Sequence, residues 1–210
     1  MLHPSLVPLF PLPDVVLFPT VFLPLHVFEP RYRALVRDAL EGDRIIGMML
    51  LRPGWEDGYD GRPPVYDVGC AGLISHVEPL SDGRYNIVLR GFTRFRVEGE
   101  DGDGPYRVAR VQWLPDGVAD AERRELRHQR QRLEALLAPL VEGGRTQVPN
   151  NLADDHLVNA LSQYLDLESI ERQALLEHDS VLARCRALIN LIEMKLLLNR
   201  TTPGPPGSAH

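Results

Sequence analysis

Lysine is almost missing from this chain. Of its 23 basic residues only Lys195 is a lysine, and every other cation is arginine. A P-loop needs a glycine-rich turn followed by Lys and Ser or Thr. Lys195 is followed by Leu196 in the apolar run EMKLLL, so that nucleotide site is excluded. Cysteine is nearly as scarce. Cys70 and Cys185 lie far apart and form no CxxC, the pattern of two buried, reduced thiols in a cytoplasmic protein. No uninterrupted apolar segment reaches the roughly 18 residues of a membrane span. No Lys or Arg precedes the apolar start, and Pro8, Pro11, Pro13, Asp14 and Pro19 break it, so a signal peptide is not expected. The seven histidines show no HExxH spacing. Ser75 and His76 are neighbours on a predicted strand, where side chains alternate between faces. The run EDGDG imitates part of a calcium loop, but Pro105 takes the next ligand position. No metal site, catalytic residue or cofactor is therefore expected. The net charge of −6 argues against binding by phosphate neutralisation.

Proline and phenylalanine, by contrast, crowd the start. Seven of 18 prolines and four of six phenylalanines fall in the first 30 residues. Proline is confined to edge strands, strand starts and bulges. The segment therefore reads as a strand that pairs, bends and pairs again around a barrel, with Pro11, Pro13, Pro19 and Pro24 at its corners. Phe10, Val15, Leu17, Phe22 and Leu25 are expected to supply core side chains. Pro30 suits the first turn of a helix, which Tyr32, Leu35, Val36 and Leu40 continue at helical spacing.

Short apolar or alternating runs follow at 43–51, 68–80, 84–100 and 105–114, separated by turn residues. SDGR at 81–84 reads as a hairpin turn, with Gly83 able to take positive φ. In TRFRVEGE, Phe95 and Val97 alternate with Arg94, Arg96 and Glu98, which predicts one buried and one wet face. Such strands suggest a small closed or nearly closed sheet. Beyond LPDGVA the period changes. Helices are expected at 120–141, with a stripe at Leu126, Leu133, Leu137 and Leu140 and a stop at Gly143 and Gly144. Others are expected at 152–165 behind Asn151, at 169–177, and at 180–198 with Val181, Cys185, Leu188, Ile189, Ile192 and Leu196 on one face. The fold class is α+β. The divisions are a barrel over 1–116, a helical bundle over 117–200 and a flexible tail over 201–210.

LPLHVFEPRYRALV, GFTRFRV followed by PYRVARV, and ERQALLEHDSVLARCRALINLIE, in this order, resemble the N-terminal, substrate-binding domain of Lon ATP-dependent proteases across roughly residues 5 to 198. The resemblance implies a PUA-like β-barrel of about six strands and a short helix, followed by a helical bundle. It also implies a role in recognising polypeptides, as in cereblon, a ubiquitin-ligase substrate receptor that carries the same domain. No segment matches the family's catalytic Ser–Lys dyad. The expectation is a stand-alone, non-enzymatic, cytoplasmic module that binds unfolded or extended polypeptide, or a protease or other protein partner. Two other readings stay open: an RNA-binding PUA-like protein, disfavoured by the acidic balance, and a regulatory partner of a full-length protease.

Among candidate binding residues, Trp55 and Tyr59 stand first. They sit on RPGWEDGYDGRPP (52–64), a connection longer than most, and aromatics on such loops often mark contact surfaces. Phe28, Arg31 and Tyr32 in FEPRY form a second group. Arg31 and Tyr32 are expected chiefly to fix the helix against the barrel, with Arg31 paired to a carboxylate or carbonyl. Arg90, Arg94 and Arg96 read as a solvated strand face balanced by Glu98 and Glu100. In DAERRELRHQRQR five arginines face three acids, the pattern of a solvated helix face with local ion pairs.

Overall fold

Proline decides how the first strand enters the sheet. The computed structural model describes residues 4–59, 61–101, 104–118, 120–142 and 152–201. Strand β1 (Leu6–Leu12) pairs antiparallel with β6 (Arg107–Leu114) through Leu6–Leu9, then parallel with β3 (Ile45–Leu50) through Leu9–Leu12. Because it changes partner at Leu9, most of β1 has one open side, where Pro8 and Pro11 leave no ladder bond unmade. Pro13 lies in the bend after β1 and Pro19 in the next turn. Pro30 opens α1 (Pro30–Glu41) at its first turn, as expected.

Six strands follow the order β2-β5-β4-β3-β1-β6, and a further β5–β6 pairing closes the sheet. Strand β4 spans Val68–Pro79 and β5 spans Tyr85–Asp101. The 17-residue β5 spans two roles: Tyr85–Arg90 pairs with β2 (Phe22–Val27), and Arg94–Asp101 pairs with β6. Bulges in β4 and β5 supply the bends that closure requires. Gly83 takes φ +80 in the β4–β5 turn, as the sequence suggests.

Strand β2 is the free edge. Gly91 N–H donates to the Val21 carbonyl, so by the two-residue period Leu23, Leu25 and Val27 turn their backbone groups to β5. Phe22, Pro24 and His26 turn theirs outward. The Tyr164 hydroxyl donates to the outward Phe22 carbonyl at 2.9 Å. Phe22, expected in the core, is instead 51% exposed on the edge strand. Val16, Phe18, Val21 and Val27 take the core positions of this stretch, with Val15 and Leu25 partly buried.

Two apolar clusters divide the sheet. Val7, Leu9, Met49, Ala71, Phe95 and Ala109 fill the barrel interior. A larger cluster on the outer side joins Phe10, Phe18, Tyr32, Ile46 and Leu89 to Leu126, Leu133, Val158 and Leu188. Strand β3 is buried on both faces between them. The helices are α2 (Asp120–Glu142), α3 (Asp154–Tyr164), α4 (Ser169–Glu177) and α5 (Val181–Thr201). A six-stranded sheet followed by these helices is the α+β fold expected. Leu126, Leu133 and Leu137 bury the stripe of α2, and Val181, Cys185, Leu188, Ile189 and Ile192 that of α5. The Leu140 side chain, the Gly143–Gly144 stop, the Asn151 cap and the tail from 202 lie outside the described residues. Among the described residues, no helix is long and apolar enough to cross a membrane.

One expectation fails informatively. Arg94, read as part of a solvated face, is 2% exposed. Its outward-facing position on β5 is covered by the α4–α5 junction. Its Nε donates to Asp116 Oδ1 at 2.7 Å, and its Nη1 to the Leu176 carbonyl at 2.9 Å. From α5, the fully buried Arg184 donates to Asp116 Oδ2 at 2.8 Å and to Asn159 Oδ1 at 2.6 Å. Asp116, in the link after β6, thus accepts from the barrel's Arg94 and the helical half's Arg184. Burial pulls the Arg94 pKa down, and Asp116 opposes that pull.

Candidate functional site

The first turn of α1 and the 52–64 loop are built into each other. Glu29, just before Pro30, accepts the Tyr59 hydroxyl at Oε1 (2.6 Å) and Arg31 Nε at Oε2 (3.0 Å). Arg31 also donates from Nη1 to the Tyr59 carbonyl at 2.9 Å. Its guanidinium lies 4.7 Å from the ring centroid of Tyr32 and 4.6 Å from that of Tyr59, a cation between two π faces. Arg31 therefore has both the carboxylate and the carbonyl partner that its sequence context suggests. Burial, and then the bond to Glu29, pushes the Tyr59 pKa up.

Trp55 packs edge-on against Tyr59, with ring centroids 5.2 Å apart, at the start of a 3-10 turn (Glu56–Gly58). Both rings are half-buried, so the loop folds back on the body while keeping part of each ring in solvent. Phe28 is 59% exposed and stacks loosely on His26. It directly precedes Glu29. Tyr32 is only 3% exposed, and its hydroxyl donates to the Pro11 carbonyl at 3.0 Å. The five candidate residues thus divide: Phe28, Trp55 and Tyr59 offer aromatic surface, while Arg31 and Tyr32 hold that surface in place.

Beneath the loop lies a cavity of about 200 Å³. Leu9, Pro11, Tyr32 and Leu51 line it from the barrel and α1, and Pro105 and Tyr106 from the turn before β6. Three arginines, Arg31, Arg62 and Arg107, also line it. Arg107 chelates Glu100 through Nε and Nη2 and donates from Nη1 to the Pro63 carbonyl at 2.7 Å. The Tyr106 hydroxyl donates to Asp38, and burial together with that bond pushes its pKa up to about 12. Sequence reasoning missed Tyr106 and Arg107 because they lie far from the 52–64 loop in the chain, and Arg62, on that loop, because it offers no aromatic signal. Only the barrel closure brings them together.

The Arg90–Arg94–Arg96 row is not a continuous basic strip, since Arg94 points into the interior. With a net charge of −6, this row gives no support to binding by phosphate neutralisation.

Comparison with known proteins agrees with this architecture. The family model described as the ATP-dependent protease La (LON) substrate-binding domain matches residues 6–194. A Lon protease from Cytophaga hutchinsonii is 27% identical over 203 residues, which cover 90% of this chain and 24% of that protein. Lon protease 2 from Sorangium cellulosum is 35% identical over 141 residues, covering 66% of this chain and 16% of its own length. The chain thus spans about a quarter or less of these relatives. Among solved structures, a Lon N-terminal domain protein from Xanthomonas campestris superposes with a TM-score of 0.60 at 26% identity, covering 95% of this chain and 99% of that one. The N-terminal domain of a Mycobacterium avium complex Lon protease shares the fold, with a TM-score of 0.69 at 21% identity over 90% of this chain and 98% of that one.

Proposed function

The chain belongs to the ATP-dependent protease La (LON) substrate-binding domain family, and on that premise we propose that it is a non-catalytic module that holds unfolded or extended polypeptide on the surface of its 52–64 loop. The observation that carries this reading is the anchoring of that loop. Glu29 and Arg31 fix Tyr59 by three contacts, and Tyr59 in turn supports Trp55. Half-exposed aromatic rings on a pre-organised support give contact area at little cost in ordering entropy. A cytoplasmic setting belongs to the same reading, in keeping with two buried, unpaired cysteines.

Trp55→Ala combined with Phe28→Ala tests it. Both rings have solvent-facing surface, so the melting temperature should change little. Affinity for a permanently unfolded model polypeptide, read by fluorescence anisotropy, should fall by about 1–3 kcal/mol, the usual loss for aromatic interface anchors. Full affinity with an unchanged melting temperature would move the surface elsewhere.

A further inference from the structure

We infer that the outer face of α2, from Arg124 to Gln131, is a docking surface for a run of acidic residues in a polypeptide partner. The tract 120–132 holds five arginines and three acids, and the structure sorts them. Arg123 pairs with Asp120, Arg130 with Glu134 and Asp154, and Arg132 with Glu193. Among the described residues, Arg124 and Arg127 make no hydrogen bond or ion pair. Asp120, four residues before Arg124, is taken by Arg123. Glu125, three before His128, is taken by Arg186 and Gln129. Glu122 lies neither three nor four residues from Arg124, Arg127 or His128. Helix geometry sets this row against itself. The neighbours of Arg127 at those spacings are Arg123, Arg124, Arg130 and Gln131, and like charges so placed destabilise a helix. Arg124, Arg127, His128 and Gln131 are all exposed, while Leu126, Leu133 and Leu137 bury the opposite side. An exposed cationic row kept against its own repulsion is the kind of local conflict found at functional surfaces.

Three acids fall outside the described side chains: Asp60, Asp103 and Glu142. Glu142 is fifteen residues beyond Arg127, roughly 22 Å along the helix. Gly61 and Gly104, which follow Asp60 and Asp103, line the cavity at the Arg107 end of β6, whereas α2 follows its Leu114 end. Spacing and charge together identify the occupant. Arg124 stands one helical turn from Arg127 and His128, about 5–6 Å between Cβ atoms. Carboxylates on alternate residues of an extended chain fall roughly 6.6 Å apart, within reach of these long side chains. A single exposed ion pair contributes little, so the surface answers to several acids in a row and not to one. A nucleic acid would bring a long row of phosphates against a chain of net charge −6, whereas a short acidic segment meets only this face. The surface shares no residue with the 52–64 loop and does not rest on the reading given to that loop.

The full chain is titrated by fluorescence anisotropy with a labelled peptide of alternating Glu and Ser, its Gln counterpart, a peptide with one Glu, and oligothymidylate. The alternating Glu peptide should bind at least about tenfold more tightly than the Gln peptide at about 0.05 M salt, and lose that margin by about 0.5 M. Arg124→Gln with Arg127→Gln should remove the margin and leave the melting temperature unchanged or slightly raised, since a repulsion is relieved. Arg37→Gln with Arg110→Gln removes two charges at exposed positions elsewhere and should leave the margin intact. Phe28→Ala with Trp55→Ala should also leave the Glu peptide bound. Equal binding of the Glu and Gln peptides, equal binding of the one-Glu peptide, or no binding at millimolar concentration would each overturn the inference. Binding that survives the α2 double variant, or that either other double variant abolishes, would do the same. Tighter binding of oligothymidylate, lost in the α2 variant, would overturn it in favour of a phosphate surface. If the Glu peptide binds at α2 and unfolded polypeptide does not bind the loop, this inference stands and the proposed function falls. In the reverse case only this inference falls.

Discussion

Replacing Asp116 with Asn should destabilise the protein far more than an isosteric change suggests. Asp116 is the sole carboxylate bonded to Arg94 and Arg184 among the described contacts, with N–O distances of 2.7 and 2.8 Å. Those arginines are 2% and 0% exposed. A guanidinium does not lose its proton in a protein, so neither charge can escape by neutralising. Removing one partner of a buried ion pair typically costs about 3–5 kcal/mol, because the other charge stays buried. Carbonyls of Leu175, Leu176 and Asp179, and Oδ1 of Asn159, still solvate the arginines and hold the loss within that range. Against a total of about 5–15 kcal/mol, this is a large share. At about 2–4 °C per kcal/mol for a chain of this size, the melting temperature should fall by roughly 6–20 °C. Because the triad bridges the barrel and the helices, the variant should also lose cooperativity. Urea transitions followed by far-UV circular dichroism and by Trp fluorescence should separate. A loss below about 1 kcal/mol, with the two transitions coincident, would refute the argument that a lone carboxylate balances two buried arginines.

Other measurements test other contacts. His178 has its pKa lowered from 6.5, first by burial and then by Arg184. The unfolded chain therefore takes up that proton more readily, so stability should decline as pH falls below about 6.5; His178→Asn should flatten that slope in denaturant titrations. Gly91→Ala would place a Cβ 2.1 Å from the Phe18 carbonyl oxygen, a backbone atom, and should cost about 1–3 kcal/mol or more by chemical denaturation. Thr20 donates to the Gly91 carbonyl at φ +68, a conformation that β-branched residues rarely adopt, and Thr20→Gly should raise the melting temperature by relieving about 1 kcal/mol of strain.

Much of this architecture was legible in the chain. Period-two runs gave the strands and period-3.6 runs the helices; of the prolines expected at corners, Pro13 and Pro19 mark a bend and a turn, while Pro11 and Pro24 lie within the ladders of β1 and β2. Arg184 was legible too, though by a weaker signal. It lies three residues after Val181 and four before Leu188, on the same stripe, so a charge at a core position was in plain view. Arg94 was not. Thr93, Arg94 and Phe95 are all buried, and alternation within one strand cannot report that a distant helix junction covers its outer face. The candidate site divided likewise. Long-loop aromatics pointed to Trp55 and Tyr59, and FEPRY to Arg31. Tyr106 and Arg107 meet them only through barrel closure, which no local pattern encodes, and Arg62, on the loop itself, carries no aromatic signal.

The outward register of Pro24 bears on how the proposed polypeptide binding would work. A visiting strand laid along β2 would meet a carbonyl already engaged by Tyr164 at Phe22, and no donor at all at Pro24. Each desolvated group left unpaired there costs about 1–3 kcal/mol. The edge therefore cannot template growth from one chain to the next. Holding a client falls to side chains, whose contacts form and break singly. On the proposed reading, an unfolded chain would be gripped and released without being paired into the sheet.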